Sequence, residues 1–306
     1  MKLEQKVTYL VWEIIFYSNF FMGLMSIGLN LETNIKIGLP LNNIEYYFFI
    51  SSLSILFYFY AYKIPQLITV ASNPRTLFYI KNRKSLFLFN IFVSVICVCS
   101  GFVIFLRCYN EIFQLSFEHY IILGFTFLLS ISYYNWKFGL SLRKYTWFKP
   151  LLIAWTWAIT TVYLPLLILD LENKISFAVD SKFYFLFVQT FMYFIVNAII
   201  FDIKDFEDDY NRGLKTFVVK YGIKFTLNAI IFPLIFLGFL SFIIFGIWYN
   251  LPIHRIIFML IPISFMAVFA YQLKHKRSIL FYLSAIDGMI LVKALFGILS
   301  VILFES

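Results

Sequence analysis

Apolar residues run along this chain in blocks of about twenty, separated by short polar stretches where most of the basic residues gather. A hydrocarbon layer about 30 Å thick takes about 20 residues of helix to cross. That ruler predicts nine membrane helices, at 8–29, 44–62, 86–106, 118–135, 150–170, 182–201, 224–247, 253–271 and 279–303. No low-complexity tract or soluble insertion interrupts them, so the pattern predicts one transmembrane domain over 1–306 and an all-α fold. The first apolar run is long, carries Glu13 and lacks a small-residue cleavage site, which predicts a retained helix rather than a cleaved signal.

The basic residues add an orientation. Placing the N-terminus and the loops after the second, fourth, sixth and eighth helices on one side collects about 19 of the 25 Lys and Arg. Lys36, Arg107, Lys174, Lys182 and Arg255 fall on the other side, and Lys293 falls inside the ninth helix. The positive-inside rule then predicts a protein of the cell (inner) membrane, with a cytoplasmic N-terminus and an external C-terminus.

Composition agrees with this picture. Hydrophobic residues make up 62% of the chain and charged residues 13%, with a mean hydropathy of +0.85, whereas soluble domains carry about 25% charged residues. The net charge of +9 sits at the ends of apolar segments, where lipid headgroups account for it better than a nucleic acid does. Three cysteines and three histidines show no spacing suited to a metal site or a disulfide framework.

Chemistry concentrates in one stretch. From Asp202 to Asp209 the chain places five of its 16 carboxylates, directly after an apolar run. At about 100° per residue, Asp202, Asp205 and Asp209 fall within about 60° of one another on a helix, and Glu207 points away. Two readings stay open. In one, the stripe holds a hard divalent cation such as Mg²⁺, which takes one or two carboxylates and completes its shell with water and phosphate oxygens. In the other, it is a solvated acidic turn balanced by Lys204, Arg212, Lys215 and Lys220.

Nine apolar helices, with Asp202, Asp205 and Asp209 after the sixth and then Gly213, Thr216 and Gly222, resemble the UbiA superfamily of membrane prenyltransferases. Its second aspartate-rich motif reads D-x-x-D-x-x-x-D, then G-x-x-T, then Gly six residues beyond the Thr. All six positions match here, and Tyr133-x-x-x-Lys137 is similar to a further family element. The resemblance implies a UbiA-like helical bundle that transfers a prenyl group from a polyisoprenyl diphosphate to an aromatic or quinone-type acceptor, with Mg²⁺ as cofactor. It implies Asp202, Asp205 and Asp209 as metal ligands, and Tyr133, Lys137, Lys204 and Lys215 as contacts for the diphosphate or acceptor. No residue is assigned a catalytic role.

One departure accompanies the match. The family's first motif, N-D-x-x-D after the second helix, is missing, and no Asp or Glu occurs from Tyr46 to Asn110. The loop there supplies Lys63, Arg75, Lys81, Arg83 and Lys84 instead. Lys63 and Arg75 are therefore candidates to neutralise a diphosphate directly; the positive-inside rule alone also accounts for such a loop. The departure opens an alternative function: a divergent, non-catalytic relative that binds or moves an anionic lipid, or supports a partner enzyme.

Three further features stand out. Asp287 lies deep in the ninth helix and is a second-tier site candidate, because intramembrane acids are functional by default; it and Lys293 fall on different helical faces. Arg143, Lys144 and Lys149 with Trp147 read as an interfacial anchor before the fifth helix. Tyr62, Tyr193, Trp155 and Trp157 are aromatic candidates for lining a lipid pocket and cradling a carbocation.

Overall fold

The structure, a computed structural model, describes residues 11–63, 74–132, 146–176, 180–211, 213–275 and 277–304. All regular structure among them is helical. Six helices are long and apolar enough to cross a membrane, or seven if one bent pair forms a single span. Two further apolar helices are shorter. The chain is thus a polytopic helical membrane protein by the length and composition of its helices. Its contacts divide it into two compact units.

The first unit comprises 1–28 and 42–112. The span predicted as straight over 8–29 is broken: α1 (Val11–Tyr17) and α2 (Phe20–Ile37) meet at 65°. Asn19 makes the break with φ of 66°. Its side chain is held on both ends, accepting from Arg75 Nη2 and donating to Tyr79 Oη at 3.0 Å. Both partners come from α4 (Pro74–Lys81). Beyond these, α3 (Ile44–Lys63) packs against α5 (Arg83–Arg107). Gly101 on α5 leaves room for the Phe49 ring, which a Cβ would meet at 3.1 Å. At one end of this pair Arg107 reaches Glu45 at 3.0 Å. Most of the apolar surface of α5 faces outward, through Phe87, Leu88, Phe92 and Val98, as suits a helix bathed in lipid.

The second unit comprises 29–41 and 113–306. In chain order its helices are α6 (Phe117–Ser132), α7 (Phe148–Leu171), α8 (Ser181–Lys204), α9 (Phe206–Asn211), α10 (Phe217–Tyr221), α11 (Ile223–Trp248), α12 (Ile253–Gln272) and α13 (Ile279–Ile302). Within their apolar windows 67% of α8 and 61% of α7 is buried, against 22% for α11, so α7 and α8 form the centre of this unit.

Prolines shape two of these helices. Pro165 has no N–H to give the Thr161 carbonyl, and α7 widens into a π-turn over Ile159–Tyr163 just before it. The freed Thr161 carbonyl accepts instead from Thr33 Oγ1 at 2.6 Å. Pro233 follows a similar widening at Thr226–Ile231 in α11. A third π-turn, Tyr282–Ile286 in α13, closes with Asp287 N–H donating to the Tyr282 carbonyl at 3.1 Å. There Asn197 Nδ2 on α8 donates to the Ile286 carbonyl at 3.4 Å, and Tyr193 Oη donates to the Met289 carbonyl at 2.9 Å. Side chains of α8 thus satisfy α13 backbone groups where its own ladder is irregular.

Candidate functional site

The aspartate segment folds as a helix end followed by two short helices. The chain leaves α8 at Lys204, turns through Asp205 into α9, and closes α9 at Gly213. Gly213 sits at φ of 66°, the left-handed conformation that ends many helices, and the next N–H, of Leu214, donates to the Asp209 carbonyl at 2.9 Å. Thr216 then caps α10, its Oγ1 accepting from Val219 N–H at 3.4 Å. Gly222, at φ of 80°, separates α10 from α11. The Gly, Thr and Gly that follow the aspartates are therefore backbone-shaping residues: one closes a helix, one opens the next, and one turns the chain into a span.

This path returns Asp209 to the end of α8, and both Asp202 and Asp209 are buried. Lys149 from the first turn of α7 lies between them. Its ammonium pairs with Asp202 Oδ1 and stands 3.3 Å from Asp209 Oδ2. What brings Lys149 there is visible two residues earlier: the Trp147 ring packs edge-on against Phe217 of α10, with centroids 4.4 Å apart. Lys149 is thus a buried ion-pairing residue, not the interfacial anchor expected from its basic, aromatic neighbourhood. A buried ammonium needs such partners, since an unpaired charge in a low-dielectric interior is costly. The other Asp202 oxygen, Oδ2, has no hydrogen-bond partner among the described residues.

Asp205 behaves differently. It is partly exposed and pairs with the adjacent Lys204 at 2.9 Å, whose ammonium also lies 5.4 Å from the Phe201 ring centre. Lys215 is exposed on the turn before α10. Arg75, in the first unit, is buried and directed to Asn19. Asp287 is buried at the end of the α13 π-turn. Lys63 closes α3, but its side chain, like that of Tyr62 and all of Tyr133 and Lys137, lies outside the described residues.

The magnesium expectation meets this geometry directly. A divalent ion needs carboxylate oxygens facing a shared point. Here the space between Asp202 and Asp209 holds the Lys149 ammonium, and Asp205 is engaged by Lys204. Among the described residues no group of three or more His, Cys, Asp or Glu is arranged to hold a metal ion. The aspartates as placed do not fit the cation.

A second ionic cluster escaped the sequence pattern. The span predicted to end at 29 continues to Ile37, carrying Glu32 and Lys36 into a helix. Glu32 accepts from Lys293 of α13 at 2.7 Å and from Lys36 at 2.5 Å, and it is buried. Gly297 makes room for it: a Cβ there would collide with the Glu32 carboxylate. Lys293 also lies 5.9 Å from the Tyr193 ring centre. Tyr193 in turn lines a small apolar cavity with Val196, Phe242, Ile263 and Met266. Trp157, by contrast, stacks on Phe194 at 4.9 Å, and Trp155 donates to Thr126 Oγ1 at 2.9 Å, so both serve helix packing.

Comparison with known proteins adds no relative: no protein-family model, no curated protein and no solved structure matches the chain.

Proposed function

We propose that this chain is an integral membrane protein of the UbiA prenyltransferase type, transferring a prenyl group from a polyisoprenyl diphosphate to an aromatic or quinone-type acceptor. One observation carries the reading: the six-position motif Asp202, Asp205, Asp209, Gly213, Thr216, Gly222 folds the chain so that two of its aspartates are buried at a helix end rather than spread in a solvated turn. The same helix lines a small apolar cavity through Tyr193 and Val196. By helix rise, Val196 lies about 9 Å from Asp202 along α8.

In this reaction the allylic C–O bond ionises and its electron pair leaves with the diphosphate. The acceptor carbon then bonds to the prenyl cation and gives up a proton. Because the aspartates as placed do not fit a divalent ion, we assign neutralisation of the leaving group to the chain's own cations, Lys137, Lys204 and Lys215. The test incubates purified protein with prenyl diphosphates and a panel of aromatic acceptors. Diphosphate release above that of a Lys137→Gln, Lys204→Gln, Lys215→Gln control is expected; release equal to the control removes the enzyme reading.

A second reading is favoured by Lys149 standing between the aspartates and by the absence of acids from Tyr46 to Asn110. In it the protein binds or moves an anionic lipid without turnover. It predicts lipid-phosphate binding that survives EDTA and weakens in Lys63→Gln. Arg75→Gln is the poorer probe, because it also removes the bond to Asn19.

A further inference from the structure

Asp202 and Asp209 are two buried carboxylates with one buried ammonium between them. The arrangement is not a surface accident: Lys149 is delivered by the first turn of a central helix, and that turn is fixed by the Trp147–Phe217 contact. With Lys149 present one of the two negative charges is offset. A divalent ion entering the same space would face a buried positive charge a few ångströms away, which repels it strongly in a poorly screened interior. With Lys149 neutralised, Asp202 would lose the ammonium it pairs with, and its Oδ2 already has no hydrogen-bond partner among the described residues. That is the chemistry of a vacancy for a small hard cation.

We infer that Lys149 is the resident cation of the Asp202–Asp209 pair and excludes a divalent metal from it. The metal motif is thus filled by a side chain of the protein itself. The consequence for catalysis rests on the prenyl-diphosphate reading; the metal exclusion rests on the geometry of Lys149 alone.

The experiment measures Mn²⁺ binding to the detergent-purified full chain by electron paramagnetic resonance, with no prenyl substrate present. Wild type, Lys149→Gln, and Lys149→Gln with Asp202→Asn are compared. Lys149→Gln is expected to gain one Mn²⁺ site, about ten-fold or more tighter than anything wild type shows, and the added Asp202→Asn is expected to remove it. To keep the test decisive if Lys149→Gln fails to fold, wild type and Asp202→Asn are also melted with and without Mg²⁺. A bound ion would raise the melting temperature by mass action, and no Asp202-dependent rise is expected. The inference is overturned if wild type itself binds Mn²⁺ or is stabilised by Mg²⁺ in an Asp202-dependent way, or if folded Lys149→Gln gains no site. None of these readouts involves prenyl transfer, so failure of the enzyme reading and failure of this inference give different results.

Discussion

Glu32 and Lys293, 261 residues apart in the chain, form a buried ion pair at 2.7 Å. Each charge is withdrawn from water in a helix long enough to cross a membrane, or in one arm of the bent pair, and each depends on the other. The dependence is unequal, because Glu32 also accepts from Lys36 while Lys293 has Glu32 as its ion-pair partner among the described residues.

That inequality predicts an order of effects. Glu32→Gln leaves Lys293 buried without its counter-ion and is expected to cost about 3–5 kcal/mol. Lys293→Met should cost less, since Glu32 keeps Lys36. The double variant should be more stable than Glu32→Gln alone, because a buried pair replaced on both sides leaves no orphan charge. Unfolding of the four proteins in mixed micelles measures the cycle; additive losses would show that the two side chains do not act as a pair.

Gly297 is the position where Glu32 comes closest to the α13 backbone. Because two lysines hold the carboxylate, it has little freedom to withdraw. Gly297→Ala is therefore expected to destabilise by about 1–3 kcal/mol, the usual range for overpacking. In the Glu32→Gln background the amide is no longer fixed by two charges, and the added loss from Gly297→Ala should shrink. Melting curves of the two pairs decide it.

The backbone role of the aspartate motif makes a separate prediction. Gly213→Ala and Gly222→Ala each force a side chain into left-handed backbone and should cost about 1–2 kcal/mol, although a Cβ at either position meets nothing within 4 Å. Thr216→Ala should cost about 1 kcal/mol through loss of the cap, and Thr216→Ser should restore most of it. Thermal melting checks all four. A loss of prenyl transfer in these variants with no change in melting would instead give these residues a direct part in binding.

In the first unit, Asn19 joins the bend between α1 and α2 to α4. Removing its acceptor takes a charge-assisted bond from the Arg75 guanidinium, worth about 1.5–3 kcal/mol. Asn19→Ala should therefore cost more than Tyr79→Phe, which leaves the Arg75–Asn19 bond in place. Unfolding midpoints of the two variants rank them.

The apolar blocks show in sequence because each helix carries its own hydrophobic signal over a membrane's thickness. The break at Asn19 did not show, since it depends on Arg75 and Tyr79 from another helix, and the polar pair Ser18–Asn19 is too short to interrupt the apolar block around it. The stripe of Asp202, Asp205 and Asp209 was legible as periodicity, but what each carboxylate faces was not. Lys149 stands 53 positions before Asp202, next to Trp147 and Pro150, where local composition points to an interface. Only the packing of Trp147 on Phe217 turns it inward. Glu32 was hidden by a boundary: ending the first span at 29 put it in a loop, and the helix runs on to Ile37. A signal was available in the unpaired intramembrane Lys293, which required an acid from elsewhere in the chain.

The central claim is that the helix end carrying Asp202 and Asp209 faces a prenyl diphosphate. A photoreactive prenyl diphosphate, followed by peptide mapping of the labelled chain, tests it most directly. The account predicts label within 202–216, suppressed by unlabelled prenyl diphosphate and reduced in Lys204→Gln, Lys215→Gln. Label spread over the lipid-facing helices, such as α5, and indifferent to competitor would contradict it.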